Sequence, residues 1–207
     1  ITPTAAIVLG YLLGAIPFGL LIGKLNGIDI RNQGSGNIGA TNLTRTLGRR
    51  WGILCFVLDF AKGAAALCIA QWLTAPASES ALPLAAGAAA VAGHVWPLFL
   101  RFRGGKGVAT ALGVIVTVAP WVTLVAMAVW YIVFRISRYV SLASMTAAVI
   151  LPVGAFLLDR QGLVTTAAHV QVFLLLIALV VIARHHENIR RLLHGSENRF
   201  RKKEKPS

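Results

Sequence analysis

GVATALGVIVTVAPWVTLVAMAVWYIVF, residues 107–134, runs for 28 positions without a charge, and the number of times it crosses a bilayer decides the fold. As one straight helix it would be about 42 Å long, against a hydrocarbon core of about 30 Å. Ala119-Pro120 lies near its middle, where a turn or kink is natural. The flanking cations choose between one crossing and two. If the block folds back, Lys24, Arg31, Arg45, Arg49, Arg50, Arg101, Arg103, Lys106, Arg135, Arg138 and the cluster from Arg184 onward share one side, 18 of the 20 Lys and Arg. Only Arg160 then lies opposite, and Lys62 falls within a span. If the block crosses once, Arg135, Arg138 and the basic tail move to the outside. The positive-inside bias selects the hairpin, with short arms that are tilted or packed inside the bundle.

The rest of the chain has the same character. It is 57% hydrophobic and 13% charged, against about 25% charged in an average soluble domain. Uncharged blocks cover residues 1–23, 63–78, 80–100, 139–158 and 161–183, most of them long enough to span. The first lacks a basic leader and is too long for a secretory signal, so it reads as a retained span over about 4–25. The next two fall near 51–73 and 81–100. The expected architecture is all-α: a polytopic bundle of about seven transmembrane helices forming one domain, 1–207, with the N-terminus outside and the C-terminus cytoplasmic. Residues 198–207 are expected to be a disordered basic tail. The outer connections, Thr74–Ser80 with Glu79, the Pro120 turn, and Asp159–Gly162, are short. The inner ones are longer and rich in Gly, Asn, Ser, Arg and Lys, so chemistry belongs on the cytoplasmic face. A net charge of +13 invites a nucleic-acid reading, but these cations fill gaps between apolar blocks rather than covering a soluble surface. Cys55 and Cys68, about 20 Å apart along a helix, cannot form a disulfide and read as small hydrophobes.

Three inner segments could carry chemistry. The first, Gln33-Gly34-Ser35-Gly36-Asn37-Ile38-Gly39-Ala40-Thr41-Asn42, contains G-x-G-x-x-G without the strand and βαβ unit that dinucleotide binding requires. Glycines and helix-start amides still suit an anion. A helix starting near Asn37 would align Asn37, Thr41, Arg45 and Arg49 in a donor-rich stripe; the alternative is a polar loop beside a solvated helix face. The second, Arg101-Phe102-Arg103-Gly104-Gly105-Lys106-Gly107, resembles part of a Walker A loop, but Gly107 stands where Ser or Thr is needed. It suits a lysine point charge at a phosphate, or a positive anchor at a turn. The third, His185-His186-Glu187-Asn188 through Glu197, puts His185 and Asn188 on one helix face. It lacks a metal-ligand spacing, and no metal or cofactor is expected. Ser141, after Arg138, opens a span and could cap it. Asp59 and Lys62, one turn apart inside a span, read as a structural ion pair. His94 suits a satisfied core position as well as a functional one.

No His has Asp five positions on, no G-x-S-x-G elbow is present, and only seven acidic residues occur. With these absences in place, Ser35 through Asn42, Phe102 through Thr110, and His185 through Glu197 resemble the three motifs of the acyl-phosphate:glycerol-3-phosphate acyltransferases. Asp59-Phe-Ala-Lys62-Gly63 and Arg138-Tyr-Val-Ser141 also match that pattern, and the resemblance covers essentially the whole chain. It implies a multi-pass enzyme of the bacterial cytoplasmic (inner) membrane, its active site facing the cytoplasm among membrane lipid. The implied reaction moves a fatty acyl group from acyl phosphate to the sn-1 hydroxyl of glycerol 3-phosphate, giving lysophosphatidic acid. A functional link to the enzyme that makes acyl phosphate follows.

Carried over by position, Ser35, Arg45, Lys106, His185 and Asn188 are expected at the catalytic centre. Gly34, Gly36, Asn37, Gly39, Thr41, Asn42, Gly104, Gly105, Gly107 and Ser141 are expected at the substrates, with Asp59, Lys62 and Glu197 structural. The chemistry fits these residues. An acyl phosphate is already activated, so positioning and oxyanion stabilisation suffice without a protein nucleophile. The general base stays open between His185 and a substrate phosphate. The chief rival reading is a transporter or binding protein for a small phosphorylated anion, and a second is a structural membrane subunit. The cations gather on one face rather than at the midplane, which disfavours the transporter.

Overall fold

The computed structural model describes residues 2–74 and 81–200, and all regular structure among them is helical. The chain divides into two compact units, Ile1–Pro120 and Trp121–Ser207.

The first unit opens with α1 (Pro3–Gly14), whose cap Thr2 accepts the Ala5 amide through Oγ1 at 3.3 Å, with proline at the start of the helix. Helix cannot continue through Ile16 into Pro17 without strain, and the chain restarts as α2 (Phe18–Leu25). The first expected span is therefore one 23-residue crossing with a break in it. A short helix α3 (Ala40–Thr46) precedes α4 (Arg49–Thr74). Next come α5 (Leu82–Val95), a tight turn at Leu98–Leu100, and α6 (Val108–Val118).

Glycines set how closely these helices meet. A Cβ on Gly10 or Gly14 of α1 would run into the Ala86 or Ala90 carbonyl oxygen of α5, and one on Gly93 into the Tyr11 carbonyl. Between α4 and α6 the relation is reciprocal. Gly63 faces the Thr110 carbonyl and Gly113 the Phe60 carbonyl, both too near to admit a methyl group. Without water to drive association, such backbone approach is how apolar helices gain packing energy in lipid.

The second unit holds α7 (Pro120–Ser137, whose first residue belongs to the first unit), α8 (Val140–Arg160), α9 (Ala168–Arg184) and α10 (His186–Leu193); α9 and α10 meet at a 56° bend. Outward-facing Trp121, Leu124, Ile132, Ile136, Leu175 and Leu179 are exposed, as expected of a surface solvated by acyl chains.

The break in residues 107–134 falls where expected: Ala119 leaves the helical region (φ −144°, ψ 61°) directly before Pro120. Val108–Val118 has 11 residues, about 16 Å of helix against a hydrocarbon core of about 30 Å, the short arm expected of the hairpin. Among the described residues five segments have the length and apolarity to cross, or six if the bent α9–α10 pair is one. Residues 75–80, with Glu79, and 201–207 of the expected tail lie outside the described residues. Arg199 and Phe200, expected in the disordered tail, have fixed partners: the Phe200 amide donates to the Arg138 carbonyl at 3.0 Å and Arg199 Nε to the Ser137 carbonyl at 3.2 Å.

Candidate functional site

The glycine-rich first loop is built around one carboxamide. Asn42 Oδ1 accepts the Ser35 amide at 3.0 Å, and Nδ2 donates to the carbonyls of Gln33 (2.8 Å), Asn37 (2.9 Å) and Ile30 (3.3 Å). The side chain expected at the substrate is thus committed to shaping the loop. Gly34 adopts φ 57° where a Cβ would strike Asn42 Oδ1, and Gly36 adopts φ 69°, both conformations that glycine takes without strain. Asn37 Oδ1 accepts the Gly39 amide at 2.8 Å. The α3 helix begins only at Ala40, so the four-residue stripe that a helix from Asn37 would give does not form. Thr41 and Arg45 share α3, Asn37 precedes it, and Arg49 opens α4. The Asn37 side chain, already turned onto Gly39, closes a local turn that competes with helix. Ser35, Thr41 and Arg45 are half-buried on this scaffold.

Upstream of the loop lies an exposed ion pair that sequence reasoning missed. Asp29 accepts the Arg31 amide at 3.0 Å and its Nε at 2.9 Å. The Arg31 hydrogen bonds hold the Asp29 carboxyl down at about 2. Its signal was the Asp-x-Arg spacing at the mouth of a turn.

The second loop leaves α5 and folds back on its end. The Gly104 amide donates to the Val95 carbonyl at 3.2 Å and the Gly105 amide to the His94 carbonyl at 3.1 Å. Gly107 then caps α6 at φ 81°, and Lys106 is half-buried. The first loop rests on an apolar floor in which Leu20, Ile22, Ile30, Ile38, Leu43 and Cys55 are buried together, and Leu100, directly ahead of the second loop, packs against it.

Cys55 ties that floor to a buried polar cluster. Lys62 Nζ is 2.8 Å from Asp59 Oδ1 and donates to the Ile16 carbonyl at 2.9 Å, the oxygen exposed by the break before Pro17. His94 Nδ1 stands 3.5 Å from the same Asp59 oxygen, and Cys55 Sγ donates to Oδ2 at 3.5 Å. The expected Asp59–Lys62 ion pair is present, and His94 joins it from another helix.

The second unit has its own network. Glu197 Oε1 accepts from Ser141 Oγ (2.8 Å) and Asn188 Nδ2 (2.7 Å), while Oε2 accepts from Arg191 Nε (2.7 Å). Burial pushes the Glu197 carboxyl up, but the hydrogen bonds from Arg191, Asn188 and Ser141 together outweigh it and hold the group below its ordinary value. Ser141 does not cap α8, which has no side-chain cap; its hydroxyl turns to Glu197 instead. His185 sits at the α9–α10 bend, its Nδ1 2.7 Å from the Val181 carbonyl. A carbonyl only accepts, so neutral His185 carries its proton on Nδ1 and its lone pair on Nε2. Among the described residues no three His, Cys, Asp or Glu side chains gather as a metal site.

Known proteins are similar to this chain. Residues 4–195 match the family model described as glycerol-3-phosphate acyltransferase. A glycerol-3-phosphate acyltransferase of Geotalea daltonii is 49% identical over 93% of this chain and 94% of that protein. One of Aquifex aeolicus is 47% identical over 94% and 97%. The crystal structure of PlsY, an integral membrane glycerol 3-phosphate acyltransferase, in its glycerol 3-phosphate form superposes with a TM-score of 0.88, 44% identity and 96% of each chain covered. The lysophosphatidic acid form gives 0.85, 43% identity, and 96% and 95% coverage.

Proposed function

Since the chain belongs to the glycerol-3-phosphate acyltransferase family, we propose that it transfers a fatty acyl group from acyl phosphate to the sn-1 hydroxyl of glycerol 3-phosphate at the cytoplasmic face of a bacterial inner membrane. One observation supports the reading at the level of geometry: the glycine-rich first loop stands on an apolar floor in the first unit, and the residue that leads into the glycine–lysine loop, Leu100, packs against the same floor.

The roles follow from the chemistry. The Gly34–Gly39 loop, kept in shape by Asn42, offers amides and the Ser35 hydroxyl to the acyl phosphate. Arg45 and Lys106 supply charge to the phosphate of glycerol 3-phosphate, and the glycines around Lys106 let backbone come near it. The acceptor hydroxyl attacks the acyl carbon, the carbonyl oxygen gathers charge, and the bond to the phosphate oxygen breaks with its electron pair. Ester and inorganic phosphate result. Amides and cations that are fixed beforehand stabilise the developing oxyanion. In the second unit His185 and Asn188 support turnover, with Glu197 holding Asn188 in place.

The test gives purified protein acyl phosphate and labelled glycerol 3-phosphate, and expects labelled lysophosphatidic acid, with acyl-CoA failing as donor. Product from acyl-CoA at an equal rate overturns the donor assignment. Label accumulating in sealed proteoliposomes without acylated product overturns the reading as a whole. His185→Gln decides the base: an unchanged pH profile assigns the proton to substrate phosphate, and a lost limb assigns it to histidine.

A further inference from the structure

The glycine–lysine loop has an underside, and it is a histidine ring. His94 stands in the last turn of α5, and both loop glycines are fitted to it. A Cβ on Gly104 would collide with the His94 carbonyl oxygen and, at 2.5 Å, with the Pro97 ring; one on Gly105 would collide with His94 Nε2 itself. The opposite nitrogen, Nδ1, is 3.5 Å from Asp59 Oδ1. Asp59 is held in turn by Lys62, and Lys62 by the Ile16 carbonyl. Asp59, Lys62, His94 and Gly105 are all buried. A continuous line of contacts therefore runs from the break between α1 and α2, through Lys62 and Asp59, across the imidazole, to the backbone that presents Lys106.

A histidine that only fills a core needs apolar neighbours and one hydrogen-bond partner. This one is wedged between a buried carboxylate and a main-chain segment with no side chain of its own. Backbone at glycine is the most freely moving part of a chain, and a loop of Gly-Gly-Lys-Gly needs an external stop to hold one conformation. Groups that present a charge to a substrate gain most when the shell behind them is fixed. We infer that His94, braced by Asp59 and Lys62, is a positioning residue that holds the Gly104–Lys106 backbone and thereby sets affinity for the phosphate of the acceptor substrate. The inference rests on Lys106 serving glycerol 3-phosphate, as proposed above.

A double-mutant cycle on the full chain in detergent tests it. His94→Ala should raise the KM for glycerol 3-phosphate by about tenfold while kcat and the KM for acyl phosphate move less than about twofold. Gly105→Ala alone should raise the same KM at least as far, because its methyl pushes the loop off the ring. The double variant His94→Ala/Gly105→Ala should fall within about threefold of His94→Ala, since removing the ring makes room for the methyl. Effects that simply multiply would overturn the inference, because Gly105 would then be needed for the substrate and not for His94. A uniform loss in kcat and both KM values, tracking a lower melting temperature, would overturn it too, marking His94 as core. If His94→Ala does not accumulate in the membrane, His94→Asn enters the same cycle with the same expectations. Failure of the acyltransferase reading looks different: wild-type protein would then give no product at all.

Discussion

Among the described residues two networks are each centred on a single carboxylate, and they sit in opposite kinds of surroundings. Asp59 lies between helices of the first unit with Lys62, His94 and Cys55, every one buried. Glu197 lies just beyond α10, joining Ser141, Asn188 and Arg191; its own side chain is 3% exposed but that of Arg191 is 28% exposed. The first network has no water to fall back on when a partner is lost. The second can exchange protein donors for solvent at one edge. Depth, more than the number of hydrogen bonds, should decide how each responds to mutation and to pH.

Lys62→Met should give the largest effect, because it leaves Asp59 charged and buried. The expected loss is about 3–5 kcal/mol in thermal unfolding in detergent. Adding Asp59→Asn should recover more than half of that. If the double variant is no better than the single one, the contrast between the two networks collapses.

Glu197→Gln comes next. It keeps one acceptor oxygen but loses the charge-assisted bond from Arg191, a cost of about 1.5–3 kcal/mol. The pH dependence sharpens the comparison. The Glu197 carboxyl is lowered from its ordinary 4.5, so its stabilisation is complete above that value. It is lost as pH falls through the lower, folded value. Wild-type melting temperature should drop on acidification below 4.5, and Glu197→Gln should flatten that drop. An equally steep curve for the variant would move the acid sensitivity elsewhere.

The smallest effect belongs to the other partner of Arg191. Glu187 Oε2 is 3.7 Å from Arg191 Nη1 at i,i+4, with a side chain 68% exposed. Glu187→Gln should change stability by no more than about 0.5 kcal/mol. A loss rivalling that of Glu197→Gln would show that exposure does not separate the two acids.

Much of this was legible along the chain because its cause is local. Uncharged blocks mark spans since bilayer thickness fixes their length. The Ala119-Pro120 break follows from one ring, and the Asp59–Lys62 pair follows from one turn of helix. What stayed hidden depends on partners distant in sequence. Ser141 reads as a cap until Glu197, 56 positions on, takes its hydroxyl. His94 is ambiguous until α4 brings Asp59 beside it. Of the two readings of the first loop, a helix from Asn37 gives way to a helix from Ala40, because Asn37 and Asn42 satisfy backbone groups that a helix would otherwise use. Asn42 is read as a ligand from its motif, and only the folded loop reveals it as a scaffold.

The paired contacts of Gly63 with Thr110 and Gly113 with Phe60 have a mechanical consequence. Where carbonyls face bare α-carbons in both directions, neither helix can slide by one residue without driving a Cβ into main chain. The two rods are registered like meshed teeth. The start of the second rod, two residues after Lys106, is therefore indexed along its axis to the first.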